Sequence, residues 1–337
     1  MVTKFTGDGC WTPKSLGNSN AYYYSLTSRD FIDILSAVES IPECKRNSTL
    51  AKQDINLGDF GFFLEKDIHN RLENGLGFVV IKGLSDISDN EQFYALALQC
   101  IGLYLGKTLS QSINGEHMHR VEDEGYGLDH PKARGTNTNI KLWFHNDTCD
   151  VSCLLCVKPA IEGGLSQIVS SSSINNEMYD SHHELLKELY KPYPFMRHNI
   201  NTTMEAKLYM HPVISNIDDK IVCNILRPLI DKAKVFPEGV ISSKQIEALD
   251  VFEDLCHDER FCYEFPLGEG DILMMNSFST LHSRTKFSDS LQNNKKRLLL
   301  RLWLSVSNSR KLPESYKYVY GATTPGSYRG GIKKAIE

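Results

Sequence analysis

Apolar positions recur at helical spacing through residues 27–41 (TSRDFIDILSAVESI), and Thr27 or Ser28 is available as an N-cap, so this stretch predicts a helix. Residues 60–76 predict a second helix ending at Gly75 or Gly77, and residues 89–105 a third, closed by Gly106. Between them, Phe78-Val79-Val80-Ile81-Lys82 is a short β-branched run bounded by Gly77 and Gly83, which predicts a strand. Beyond residue 110 the pattern shortens. Residues 142–157, 167–170, 221–226, 261–265, 272–275 and 298–306 predict strands, while 173–190 and 242–257 predict helical interruptions. Many short strands with helices inserted between them point to a β-sandwich or jelly-roll core with helices packed outside.

The run Arg297-Leu298-Leu299-Leu300-Arg301-Leu302-Trp303-Leu304 carries leucine at every even position. As a strand it places Arg297, Leu299, Arg301 and Trp303 together on the other face. Two arginines aimed into a β-core need carboxylate partners, because an unpaired buried charge costs several kcal/mol. Internal Asp or Glu would serve; so would a bound dicarboxylate, gripped by the arginine fork.

Composition narrows the field. The 337 residues are 41% hydrophobic, 10% aromatic and 23% charged, an ordinary globular profile and too large a core for a disordered or rod-like chain. The net charge of −5 and the shortness of the Lys45-Arg46 and Lys295-Lys296-Arg297 clusters disfavour a nucleic-acid partner. No apolar run approaches the ~20 residues of a membrane span. The first residues contain no apolar signal segment, so a cytoplasmic location is expected. Nine cysteines without regular spacing argue against a disulfide framework.

The sharpest chemical signal is Trp143-Phe144-His145-Asn146-Asp147. On a strand, His145 and Asp147 would project to one face. A third donor is needed for a divalent cation, and His282, following the strand 272–275, is the best placed of eleven histidines. Two histidines and a carboxylate form the facial triad of non-haem Fe(II) oxygenases, whereas an isolated H-x-D is most often a plain surface pair. Cys149, Cys153 and Cys156 have the spacing of a radical iron–sulfur motif, but on a strand Cys153 and Cys156 face opposite ways and cannot share a cluster. His182-His183-Glu184 lacks the second histidine of a zincin helix, because Lys187 stands there. His117-x-His119 is a second same-face pair without a nearby acid.

Taken with GFVVIKGL near residue 80, LGKTLSQS near 110, FHNDTCDVSCLLCVKPAIEGGLSQIVSS from Phe144, GDILMMNSFSTLHSRTKF, KKRLLLRLWL and TPGSYRGGI, the chain resembles the taurine dioxygenase-like (clavaminate synthase-like) Fe(II)/2-oxoglutarate-dependent oxygenases. The resemblance implies a single domain, mainly β with flanking helices, around a double-stranded β-helix (cupin-like) core. Residues 1–110 would form a mixed α/β part packed on the core, and 111–337 the jelly roll with a helical insert near 172–260. It implies Fe(II) on His145, Asp147 and His282, and the far carboxylate of 2-oxoglutarate on Ser166 and Arg297, with Arg301 bracing it or meeting the substrate. Ser166 stands where many relatives carry threonine and keeps the hydroxyl. The implied reaction consumes O2 and 2-oxoglutarate, releases succinate and CO2, and hydroxylates, desaturates or cyclises a small substrate at an unactivated C–H bond. Ring closure of the kainoid-synthase kind is within the family's range. Arg301, Arg227, Arg197 and Arg120 suggest anchors for an amino-acid-like or carboxylate-bearing molecule. The alternative is a cupin-like binding protein that has lost the chemistry.

Overall fold

The computed structural model describes residues 2–17, 20–46, 48–126, 135–197, 207–289 and 296–332; Lys295 of the basic cluster lies outside them. The larger sheet runs in the order Tyr23–Ser25, Phe78–Lys82, Ile272–Asn276, Val151–Lys158, Leu298–Val306 and Gly106–Thr108, with Met118–Val121 also pairing to Leu298–Val306. A smaller sheet holds Tyr263–Phe265, Ser166–Ser170 and Thr280–Arg284.

Alternation along each strand decides what it touches. Val79, Ile81, Cys153, Leu155, Ile272, Met274 and the even leucines 298 to 304 form one face of the larger sheet. That face is buried against Ser28–Glu39, Glu91–Leu105 and the helical stretch from Gly58 to Asn74. The opposite face, with Phe78, Val80, Leu154, Cys156, Leu273, Met275 and Leu299, meets Ile168 and Phe265 of the smaller sheet. Two facing sheets with helices outside give the double-stranded β-helix core. The back of the smaller sheet, through Val169 and Leu281, is covered by Ser171–Ser181, His183–Leu189 and Ser243–His257. Among the described residues no helix is long and apolar enough to cross a membrane.

The helices start where the sequence marks them. Thr27 Oγ1 accepts from Asp30 N while Asp30 accepts from Thr27 N at 2.7 Å, a reciprocal cap. Asn90 accepts from Gln92 N and Phe93 N, and Glu91–Leu105 ends at Gly106 as expected. The helix expected over 60–76 begins at Gly58 and passes through a π turn at Leu64–Ile68 before ending at Asn74.

Three expectations are corrected and one is extended. The strand expected over 142–157 is regular only at Val151–Lys158. Ahead of it the chain makes one isolated bridge, His145 to His282, and a tight turn in which Cys149 N donates to Asp147 O at 2.9 Å. Asn146 draws the backbone aside, donating to Ser277 O at 2.7 Å and accepting from Ile225 N at 3.0 Å. His282 follows the strand Ile272–Asn276 as expected and itself lies within the next one, Thr280–Arg284, because the chain turns after Asn276 and crosses to the smaller sheet. The strand expected over 221–226 stops at Cys223. Tyr263–Phe265 starts late, because Phe261 N and Cys262 N are committed to Asp258 O at the end of the preceding helix.

Candidate metal centre and co-substrate pocket

His145 and His282 exchange backbone hydrogen bonds of 3.0 and 3.1 Å, which brings their rings to a centroid separation of 4.2 Å. Asp147 comes from the turn that follows, and its Oδ2 lies 3.8 Å from His282 Nε2. One donor atom from each of the three residues lies within 4.8 Å of the others, a spacing that can hold a metal ion. Electrostatics suit that use. Burial pushes His145 down, and burial followed by the His145 imidazole pushes His282 down to about 3, so both rings are neutral donors. Burial alone would raise the Asp147 carboxyl, but Arg301, His282, His145 and the Ser152 hydroxyl together hold it below the usual carboxylate range. His145 Nδ1 sits 2.9 Å from Trp143 O, which can only accept, so the ring proton is on Nδ1 and Nε2 keeps its lone pair.

Three supporting residues lie inside the quoted segments but carry no signal there that marks them as candidates. Ser152 donates to Asp147 Oδ2 at 2.6 Å. Gln111 accepts from Arg301 Nε at 2.7 Å and donates to Arg301 O and His117 O, both at 2.8 Å. Asn146 ties the His145 segment across to Ser277 and Ile225. Only Ser152 left a trace, as a polar side chain at an inward position of an otherwise apolar strand.

The two arginines part company. Arg301 Nη1 donates to Asp147 Oδ1 at 3.2 Å, and its guanidinium lies over the Trp303 ring at 4.5 Å. Arg297 is 4% exposed, yet Nη1 has no hydrogen-bond partner, and no described carboxylate forms an ion pair with it. Burial lowers it to about 10. Its guanidinium rests on Phe287, and Gly164 makes room for it: a Cβ there would sit 3.0 Å from Nε. Arg297 borders a pocket of about 230 Å³ with Leu299, Cys156, Leu165, Pro266 and Leu267. Ser166 is the cross-strand partner of Arg284, and Ile168 that of His282. Ser166 therefore faces the same way as His282, one pleat repeat, about 6.6 Å, further along the sheet.

Other candidates are occupied elsewhere. Arg227 pairs with Asp231, Asp250 and Glu253, and Arg120 with Glu91 and Glu122. Arg197 lies over Tyr209. His117 Nδ1 contacts Thr108 Oγ1 at 2.8 Å, and His119 Nε2 contacts Thr136 Oγ1 at 3.1 Å. Cys153 packs toward the helices and Cys156 between the sheets, and burial raises both thiols to about 12.

The sequence model described as "Taurine catabolism dioxygenase TauD, TfdA family" matches residues 38–303. The FR-33289 synthase of Streptomyces rubellomurinus is 26% identical over 98% of this chain and 96% of its own length. A taurine hydroxylase-like protein, SAT17, of Stachybotrys chartarum is 22% identical over 90% of this chain and 80% of its own. Among solved structures, an asparagine oxygenase in complex with Fe(II), 3-hydroxyasparagine and succinate superposes with a TM-score of 0.61 at 14% identity, covering 84% of this chain and 94% of that one. The non-haem iron oxygenase OrfP with Fe and α-ketoglutaric acid gives 0.59 at 14% identity over the same shares. The chain belongs to the TauD/TfdA family and is an Fe(II)- and 2-oxoglutarate-dependent dioxygenase.

Proposed function

We propose that His145, Asp147 and His282 hold the Fe(II), that Arg297 and Ser166 hold the far carboxylate of 2-oxoglutarate, and that the enzyme oxidises a small amino-acid-like or carboxylate-bearing molecule. The observation that carries this reading is the convergence of two neutral imidazoles and one ionised carboxylate within 4.8 Å, the donor set of a facial triad. Held there, Fe(II) with 2-oxoglutarate would supply the O2-dependent oxidation of an unactivated C–H bond, with succinate and CO2 as co-products. The chain's own part is positioning. Arg297 offers a buried guanidinium whose Nη1 has no partner at the edge of a pocket, and Ser166 adds a hydroxyl on the face that carries His282. Arg301 and Ser152 hold the two oxygens of Asp147, which fixes the direction of the ligand.

The substrate class draws support from the fold neighbours, one described with 3-hydroxyasparagine and another with L-Arg. A catalytically inactive binding protein would be expected to have a vacancy among the donors, and all three positions carry one here. Hydroxylation, desaturation and ring closure all begin with the same hydrogen removal. The test is a panel of free amino acids and small carboxylates, scored for substrate-stimulated succinate release and for product mass. The expected hit is an amino acid that gains one oxygen or loses two hydrogens. Stimulation confined to molecules without a carboxylate would contradict the substrate class.

A further inference from the structure

The turn that presents Asp147 is closed by the last described residues of the chain. Gly331 N donates to Thr148 O at 2.7 Å, and Ile332 N donates to Ser110 O at 2.8 Å. Ile332 packs against Cys149, Leu109 and Trp303. Just upstream, Arg329 has a side chain with 0% exposure, and its Nε donates to Asp150 Oδ1 at 2.7 Å. The second Asp150 oxygen accepts from Val306 N at 2.9 Å. Arg329 Nη2 donates to Arg310 O at 2.7 Å, and its backbone N–H to Ser305 Oγ at 3.1 Å. Residues 329–331 thus grip both the Thr148 carbonyl and the Asp150 carboxylate. The approach is backbone to backbone. Gly330 has φ +89°, and a Cβ there would lie 2.6 Å from Thr148 O.

Removing a guanidinium and a carboxylate completely from water yields little net stability, because desolvation offsets their attraction. Such a pair does penalise every other arrangement, since displacement leaves a charge buried alone. We propose that residues 329–332 are a working part of the metal site: the Arg329–Asp150 pair and the Gly331–Thr148 bond hold the 147–150 turn so that the Asp147 carboxylate faces His145 and His282. Arg329 is a positioning residue. It acts through Asp150 and touches neither the metal triad nor the Arg297 pocket. The inference rests on Asp147 being an iron ligand.

The experiment measures the Fe(II) dissociation constant of the full chain under argon, through the visible band formed with 2-oxoglutarate, alongside the melting temperature. The variants are Arg329→Lys, Gly330→Ala and the charge-neutral double variant Asp150→Asn with Arg329→Gln. The control is Asp33→Asn, which alters a buried carboxylate that pairs with Arg29 and accepts from Phe60 N at 3.2 Å in the helical covering, with no bond to the 147–150 turn or to Arg310. Each 329–332 variant should raise the Fe(II) dissociation constant about 10–100-fold, while Asp33→Asn lowers the melting temperature with Fe(II) affinity intact. If the double variant does not fold, Arg329→Lys and Gly330→Ala carry the comparison. Variants that melt early yet bind Fe(II) like the wild type overturn the proposal, as does an equal affinity loss in Asp33→Asn. Absence of the band in the wild type would instead overturn the metal assignment.

Discussion

At the residue scale, Arg297, just ahead of the strand Leu298–Val306, and Arg301 within it meet opposite fates. Arg301 already has Asp147 Oδ1 and Gln111 as partners, whereas Arg297 Nη1 has none. Arg297→Ala should therefore raise the KM for 2-oxoglutarate more than about hundredfold, since a carboxylate losing its buried partner costs about 3–5 kcal/mol. Arg301→Ala should act mainly on Fe(II) affinity through Asp147. Steady-state titrations of both co-substrates separate the two, and equal effects on 2-oxoglutarate would show the roles are shared. The triad candidates were legible in the sequence because their residue types stood at motif spacing. Gln111 was not, since its bonds to Arg301 span 190 residues of chain and leave no local pattern. The sequence likewise could not separate the two arginines, because alternation reports a face and not a partner.

At the scale of elements, Leu298–Val306 was read with its boundaries and both faces correct. Its alternation is strict because one side meets helices and the other the space between the sheets. Leu302, fully buried where Gly102 lets the helix Glu91–Leu105 approach, should lose about 2–5 kcal/mol as Leu302→Ala in urea unfolding. The segment 142–150 departs from its apolar pattern for an equally physical reason. Its apolar residues fit a strand, but Asn146 and the Asp147–Cys149 turn divert the backbone, and hydrophobic periodicity does not register such bonds. The hairpin strands Pro192–Met196 and Leu208–Pro212 also went unseen, and they bury His211 against Phe195 at 4.1 Å. Burial pushes His211 down to about 4, so its folded pKa lies below its unfolded one. Its stabilising contribution is complete above about pH 6.5 and is lost as pH falls toward 4. Melting curves of His211→Phe should be flatter than wild type across that window; parallel curves would show that the ring does not titrate on unfolding.

At the scale of the molecule, the two-sheet core and its helical covering followed from strand length, turn glycines and alternation. The crossing of Thr280–Arg284 to the smaller sheet, which delivers His282, depends on tertiary pairing with Ser166–Ser170 and was beyond local pattern. If Asp147 is a ligand as proposed, its carboxylate would take the position a halide would need beside 2-oxoglutarate and O2. Once a substrate is known, product mass spectrometry in high chloride and in bromide should show no carbon–halogen bond; a halogenated product would remove Asp147 from the ligand set. The proposed assignment places Fe(II) on His145, Asp147 and His282 together. It is tested most directly by the visible spectrum of the purified protein with Fe(II) and 2-oxoglutarate under argon. The wild type should show a weak charge-transfer band that His145→Ala and His282→Ala both abolish, while a band that survives either substitution, or is absent from the wild type, would contradict the claim.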